Sequence, residues 1–310
     1  AATASEEASA DAATEAQTPT PDAAIGGTSS GGDAFANLLP HPDPALIEQT
    51  DEGPLPKIAA DGRKPWTVYS RPYNTFERRP KIAIVMTDMG ISASQSQDAM
   101  ELPGQISFAF APFTRGLPDW IQRSRDLGHE VLLTLPMEPL DFPRSDPGPN
   151  ALYTNVEAPE NIKKLKYILS RATGYIGLIS YQGSKFLSSE LHANLLATRL
   201  KERGLFYMDS AYSPVNLAPN ILKKKEIPYV ELDLTIDRIP GRPEVSRALS
   251  ELEEIANARG VAVGVARPYA ATIRKLKSWA KELEEREIAL VPVSSVYAQG
   301  LQNNAGANTN

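Results

Sequence analysis

The feature that most constrains this chain is a recurrence. Apolar, strand-like runs begin near Ile82, Ile106, Val131, Tyr175, Leu205, Tyr229, Val261 and Ile288, with amphipathic helical stripes between them. Ile162, Leu165 and Leu169 form one stripe, Leu191, Leu195 and Leu196 another, and Ile273, Leu276, Ala280 and Leu283 a third. The clearest is Val245, Ala248, Leu249, Leu252 and Ile255, opened by Pro243 and closed by Gly260. Runs that are apolar at successive positions belong to strands covered on both faces, and strand–helix alternation makes such a sheet mainly parallel. Seven or eight units in series favour a barrel over an open sheet. The expected fold class is therefore α/β, a (β/α) barrel of seven or eight parallel strands.

The rest of the chain has a different texture. Residues 1–36 hold almost no large apolar side chain, so they cannot offset the entropy of ordering and read as a disordered acidic tether. In residues 37–77 isolated large side chains, among them Leu46, Leu55, Trp66 and Tyr69, alternate with prolines and glycines. No period persists there, which implies an extended arm packing on the domain. The barrel should occupy 78–296, with a disordered tail over 297–310. The net charge of −6 is uneven: residues 1–60 carry ten Asp/Glu against one Lys, leaving about +3 on the remainder. A near-neutral domain lacks the basic field of a nucleic-acid binder. Cysteine is absent, which excludes a disulfide scaffold, thiolate metal sites and a Cys nucleophile. No run of about 18 apolar residues is present, so membrane attachment is expected only through an N-terminal anchor outside this chain.

In a βα barrel the working residues follow the C-terminal ends of the strands. That rule selects Thr87–Gly90, Thr134–Pro139, Ser180–Ser184, Asp209 with Ser210, Asp233 with Asp237, and Arg267. Asp88, Glu138 and Asp209 are the candidate catalytic carboxylates. Tyr181, Gln182, Ser184 and Arg267 are the candidate ligand-binding groups. Each has a plainer role open to it: Asp88 as a cap on a helix from Ile91 to Met100, Glu138 as a brace for backbone amides, Asp209 as a turn former, and Tyr181 or Tyr212 as core. Arg267 could pair with Asp88 or Glu138, or grip a ligand anion. The three histidines, His41, His129 and His192, fall in the arm, at the start of a strand and on a helix. No pair of them reaches the rim, so no metal and no cofactor is expected.

These segments also carry a resemblance. Ile82-Ala83-Ile84-Val85 leading to Asp88 and Gly90, then Gly128-His129-Glu130-Val131 leading to Leu135-Pro136-Met137-Glu138-Pro139, Asp146-Pro147-Gly148-Pro149, Gly183-Ser184-Lys185-Phe186 and Gly204-Leu205 leading to Asp209-Ser210 resemble the divergent polysaccharide deacetylase family, related to NodB-type carbohydrate esterases. The resemblance spans about 78–296 and is nearest to an alphaproteobacterial-type branch. It implies a distorted (β/α) barrel, a periplasmic or membrane-tethered location, and a rim metal that polarises an acetamide while an Asp acts as base. Family members have Asp-Asp where this chain has Thr87-Asp88. They have His at the positions of Thr134, Tyr181 and Arg267.

The expected function is a cell-envelope protein that kept the esterase shape and lost the metal site. It would bind a glycan, peptidoglycan or a regulator of murein hydrolysis, and not nucleic acid. An active carbohydrate esterase is the alternative, and a metal-free hydrolase built on two of the three rim carboxylates is a third reading. Limited proteolysis is expected to remove residues 1–36 and leave a stable fragment starting between roughly 37 and 80; survival of the intact N-terminus would contradict the tether.

Overall fold

The computed structural model describes residues 37–211, 213–239 and 241–297. Segments 1–36, the expected tether, and 298–310, all but the first residue of the expected tail 297–310, lie outside the described residues together with Tyr212, whereas Tyr297 is described and packs edge-on against Trp66. After an arm hairpin of β1 (Ile47–Thr50) and β2 (Gly53–Pro56), the strands are β3 (Lys81–Met89), β4 (Ser107–Phe110), β5 (Val131–Met137), β6 (Gly177–Gln182), β7 (Phe206–Asp209), β8 (Tyr229–Glu231), β9 (Leu234–Thr235), β10 (Val261–Ala266) and β11 (Ala289–Val291). All but β9 of these sheet strands start where the apolar runs place them, to within two residues. The two-residue β9 is too short to leave a period in the sequence.

The sheet is parallel throughout, in the order β8-β7-β6-β5-β4-β3-β10-β9, with β11 also on β3. It curls into a half-barrel. A strand has two edges, and β3 serves three partners: β10 pairs along Lys81–Met86, β11 takes Lys81–Ala83, and β4 takes the upper part from Val85. Strands β8 and β10 do not pair with each other. The chain between them crosses the gap instead, with Leu232 N–H donating to Asp209 O (2.9 Å) and Asp233 N–H to Val263 O (3.0 Å).

Two apolar layers arise from the strand alternation. Ile82, Ile84, Met86, Phe108 and Leu133 pack outward against the helices α3 (Leu117–Asp126), α4 (Ala158–Leu169), α5 (Glu190–Arg203), α7 (Arg242–Arg259) and α8 (Ala270–Glu282); the shorter helices are α1 (Pro65–Val68) in the arm, α2 (Ala93–Ala99) after β3 and α6 (Ala218–Lys224) after β7. Ala83, Val85, Ala109, Leu132, Phe206 and Val263 fill the inside of the curl together with Leu46, Val68 and Tyr69 of the arm. The helical stripes hold for α7 and α8. On α5 the phase differs: Leu191 is exposed, and the buried face is His192, Ala193, Leu196, Ala197 and Leu200. His192 is held there by Ser189 Oγ at 2.8 Å and lies against Phe186.

The arm crosses the N-terminal ends of the strands and is tied to them by polar groups. Arg125 donates from Nη1 to Tyr69 O (2.8 Å) and Gly174 O (3.0 Å), and from Nη2 to Leu39 O (2.7 Å). Glu130, with no exposed surface, accepts from Arg71 N–H (2.8 Å), Ser294 N–H (3.2 Å), Ser294 Oγ and Ser107 Oγ (3.4 Å). One carboxylate thus joins the arm, β4, β5 and the loop after β11. Burial pushes its carboxyl upward, against those donors.

His129, beside it, stacks on Phe108 at 3.9 Å and donates from Nδ1 to Ile106 O (2.7 Å). Burial lowers the imidazole from 6.5 to about 4. The folded state therefore refuses a proton that the unfolded chain accepts, so stability is complete above pH 6.5 and is lost as pH falls towards 4. The loss from this residue is at most about 3 kcal/mol. Thermal unfolding monitored between roughly neutral pH and pH near 4.5 should show a smaller fall in Tm for His129→Phe than for the parent; equal slopes would remove His129 from the account.

Candidate functional site

The β3–β10 ladder builds the rim. Its register ends with Ala266 opposite Met86, so the next residues, Thr87 of β3 and Arg267 just past β10, stand side by side beyond the ladder. Thr87 Oγ1 donates to Ala266 O at 3.2 Å. Arg267 Nε then stands 3.6 Å from Asp88 Oδ2, with side-chain exposures of 42% and 32%. The same guanidinium donates from Nη1 to Tyr269 Oη (3.2 Å). On the opposite wall, β5 and β6 run in register from Leu132–Gly177 to Met137–Gln182, which carries Ser180, Tyr181 and Gln182 to the same mouth.

A cavity of about 160 Å³ opens there, lined by Thr87, Asp88, Thr134, Ser180, Tyr181, Gln182, Ser210, Thr235, Asp237 and Arg267 among others. Two of its residues hold a left-handed backbone without being glycine: Asp88 (φ 57°) and Gln182 (φ 59°). Such a conformation costs about 1–2 kcal/mol per residue and clusters at sites that need a side chain aimed against its local preference. Asp88 does not cap the next helix. That helix, α2 (Ala93–Ala99), is capped by Ser92, whose Oγ accepts from Gln95 N–H.

The other carboxylates singled out in the sequence turn away from the cavity. Glu138 is 2% exposed, accepting from Thr154 N–H and Oγ1 (both 2.6 Å) and from Lys185 Nζ (2.8 Å). Burial acts to raise its carboxyl, but the Lys185 and Thr154 bonds together outweigh it and hold it below the usual range. Asp209, also buried, accepts from Ala211 N–H (2.9 Å), Asn216 Nδ2 (2.7 Å) and Ser180 Oγ (3.4 Å). Burial leaves its carboxyl raised in spite of them. Both brace strand-to-helix loops. Ser184 does similar service, its Oγ accepting from Leu140 N–H at 3.0 Å. Tyr181 is at the mouth and 42% exposed, so it is not core.

Asp237 is the rim residue that sequence reasoning passes over. Its segment is selected, but nothing in the sequence distinguishes it from Asp233, which pairs with Arg259 at 2.6 Å. Asp237 has no exposed surface and lines the cavity. Its Oδ2 accepts from Arg267 N–H (2.7 Å) and Thr272 Oγ1 (3.2 Å), while Oδ1 is buried without a partner. Gln182 Oε1 is likewise buried and unpartnered. Burial raises both Asp237 and Asp88, with Arg267 opposing in each case.

The donor set does not suit a divalent metal. Among the described residues no group of three or more His, Cys, Asp or Glu is placed to hold one. A permanent guanidinium cation already stands beside Asp88, so a metal approaching that carboxylate would meet a like charge. What the cavity offers is hydrogen-bonding groups: the hydroxyls of Thr134 and Thr235, and acceptors from Asp88, Asp237 and Gln182.

The chain matches, over residues 84–297, the family model of divergent polysaccharide deacetylases. YibQ of Escherichia coli K12 is 22% identical over 216 residues, 70% of this chain and 67% of YibQ. A Haemophilus influenzae protein is 23% identical over 226 residues, 73% of this chain and 80% of its own. The crystal structure of ATU2773 from Agrobacterium tumefaciens C58 superposes with a TM-score of 0.76 at 33% identity, covering 79% of this chain and 99% of that one.

The half-exposed Arg267–Asp88 pair differs from the fully buried pair that the sequence could have produced, and the energetics differ with it. A solvent-accessible ion pair contributes roughly 0–1 kcal/mol, not the several kcal/mol of a buried one. Arg267→Ala is therefore expected to lower stability by less than about 1 kcal/mol in chemical denaturation. A loss above about 3 kcal/mol would show that the pair is dry.

Proposed function

This chain belongs to the divergent polysaccharide deacetylase family, and on that premise we propose that it binds a glycan of the cell envelope at its barrel rim without deacetylating it. The observation that carries this reading is the Arg267–Asp88 pair at the mouth of the cavity. A deacetylase of this architecture needs a Lewis acid on the acetamide oxygen and a base for the attacking water. Here the cation beside Asp88 is a guanidinium, which polarises by hydrogen bonding and generates no metal-bound hydroxide. The residue preceding Asp88 is Thr87, whose hydroxyl is used on Ala266 O and cannot serve as a base near neutral pH.

The remaining features fit a binding site. Hydroxyl-lined walls and an exposed Tyr181 at the lip suit a sugar, which presents hydroxyls at its edge and an apolar face. The cavity is smaller than the roughly 300–1,000 Å³ of sites that engulf a whole ligand, so one functional group enters it and the rest of the glycan lies across the rim. A pair of hydrolytic carboxylates finds less support. Glu138 and Asp209 are committed to loop backbone, and neither lines the cavity. Peptidoglycan, or a protein that regulates its hydrolysis, is the envelope partner this reading proposes, with the chain exported or tethered facing the periplasm.

The reading is tested by incubating the protein with N-acetylglucosamine oligosaccharides and with peptidoglycan, with and without added zinc, while measuring acetate release and sacculus binding. Sedimentation with sacculi, and no acetate above the blank under either condition, is the expected result. Zinc-dependent acetate release with stoichiometric metal on the chain would restore the esterase reading.

A further inference from the structure

The rim cavity is oversupplied with acceptors. Asp88 and Asp237 bring two carboxylates against the single guanidinium of Arg267. The Asp237 side chain has no exposed surface, yet its Oδ1 lacks a partner, and Gln182 Oε1 is in the same condition. A buried acceptor without a donor costs about 1–3 kcal/mol, and more when it is charged. Four neighbouring donors are committed elsewhere. Arg267 N–H and Thr272 Oγ1 are spent on Asp237 Oδ2, the Thr87 hydroxyl on Ala266 O, and Arg267 Nη1 on Tyr269.

The group that completes such a site is a compact donor with positive charge. An acetamide offers one uncharged N–H donor together with a carbonyl oxygen that is another acceptor, and a carboxylate would add a like charge. An ammonium brings donors only and one positive charge. We propose that the group entering the cavity is the protonated amine of a de-N-acetylated amino sugar, paired with Asp88 at the mouth, with the buried acceptors Asp237 Oδ1 and Gln182 Oε1 behind it. This inference rests on the glycan-binding reading above and narrows it to a sugar class. Burial holds both carboxyls above their ordinary range, so each is electrostatically underserved and stands to gain from an entering cation. Tyr181 at the lip supports the ring that carries the amine.

The probes are chitosan and chitin oligosaccharides of equal length, titrated by calorimetry in mildly acidic, low-salt buffer where the sugar amine is protonated. The chitosan oligomer is expected to bind at least about tenfold more tightly, the scale of one charge-assisted hydrogen bond. Asp237→Asn should abolish that preference, because it replaces the free acceptor with an amide while keeping an oxygen for Arg267 N–H. Asp88→Asn should weaken it, and thermal unfolding reports whether each variant is folded. Equal or tighter binding of the acetylated oligomer overturns the amine assignment and leaves the glycan reading standing. A chitosan preference that persists unchanged in both variants would trace to the overall acidity of the chain and overturns it as well. Binding of neither oligomer removes the inference together with the reading beneath it.

Discussion

The parallel ladder between β3 and β10 is the constraint on which the rest of the structure depends. Its consecutive residue pairs, from Lys81–Val261 to Met86–Ala266, lock two strands that are remote in sequence. The ladder leaves no freedom to the residues just beyond it: Thr87 and Arg267 must emerge together, and Asp88 must face the guanidinium. A slip of one residue would turn every side chain of β3 to the opposite face and exchange the inner layer of Ala83 and Val85 with the outer layer of Ile82, Ile84 and Met86. The core thus enforces the geometry of the site.

At the opposite end of the strands Glu130 plays a comparable organising part. A carboxylate with no access to solvent is tolerable only if donors surround it, and here they come from Arg71, Ser107 and Ser294. The arm is thereby joined to the barrel floor by a polar anchor as well as by the apolar side chains Leu46, Val68 and Tyr69. In βα barrels generally, N-terminal strand ends serve stability and C-terminal ends carry the sites, and the polar anchor here lies at the N-terminal end.

At the rim, charge balance separates scaffold from site. Glu138 and Asp209 have their acceptors filled by lysine, threonine, asparagine and backbone donors of their own loops. Asp237 keeps one buried oxygen without a partner, and Asp88, part exposed beside Arg267, adopts a backbone conformation that an L-residue disfavours. Backbone strain at Asp88 and an unmet acceptor at Asp237 are the observations on which the proposed amine site rests.

The sequence by itself determined the order, number and starting points of the strands from β3 to β8, β10 and β11, because parallel strands buried on both faces demand continuous apolar runs. It also determined the family, through Leu135-Pro136-Met137-Glu138 and its companions, and which segments reach the rim. Only the tertiary structure decided which rim side chains meet. Asp88, Glu138, Asp209 and Asp237 are chemically equivalent in a one-dimensional reading, all acids at or near the C-terminal ends of strands. What sorts them is the donors each encounters, and those donors come from other strands and loops: Arg267 for Asp88, Lys185 and Thr154 for Glu138, Asn216 for Asp209. The same holds for the face α5 buries, where the sequence stripe is Leu191, Leu195 and Leu196 but packing keeps Leu196, adds His192 and Ala193, and leaves Leu191 exposed. Burial and partnership arise from long-range packing, and no local pattern encodes them.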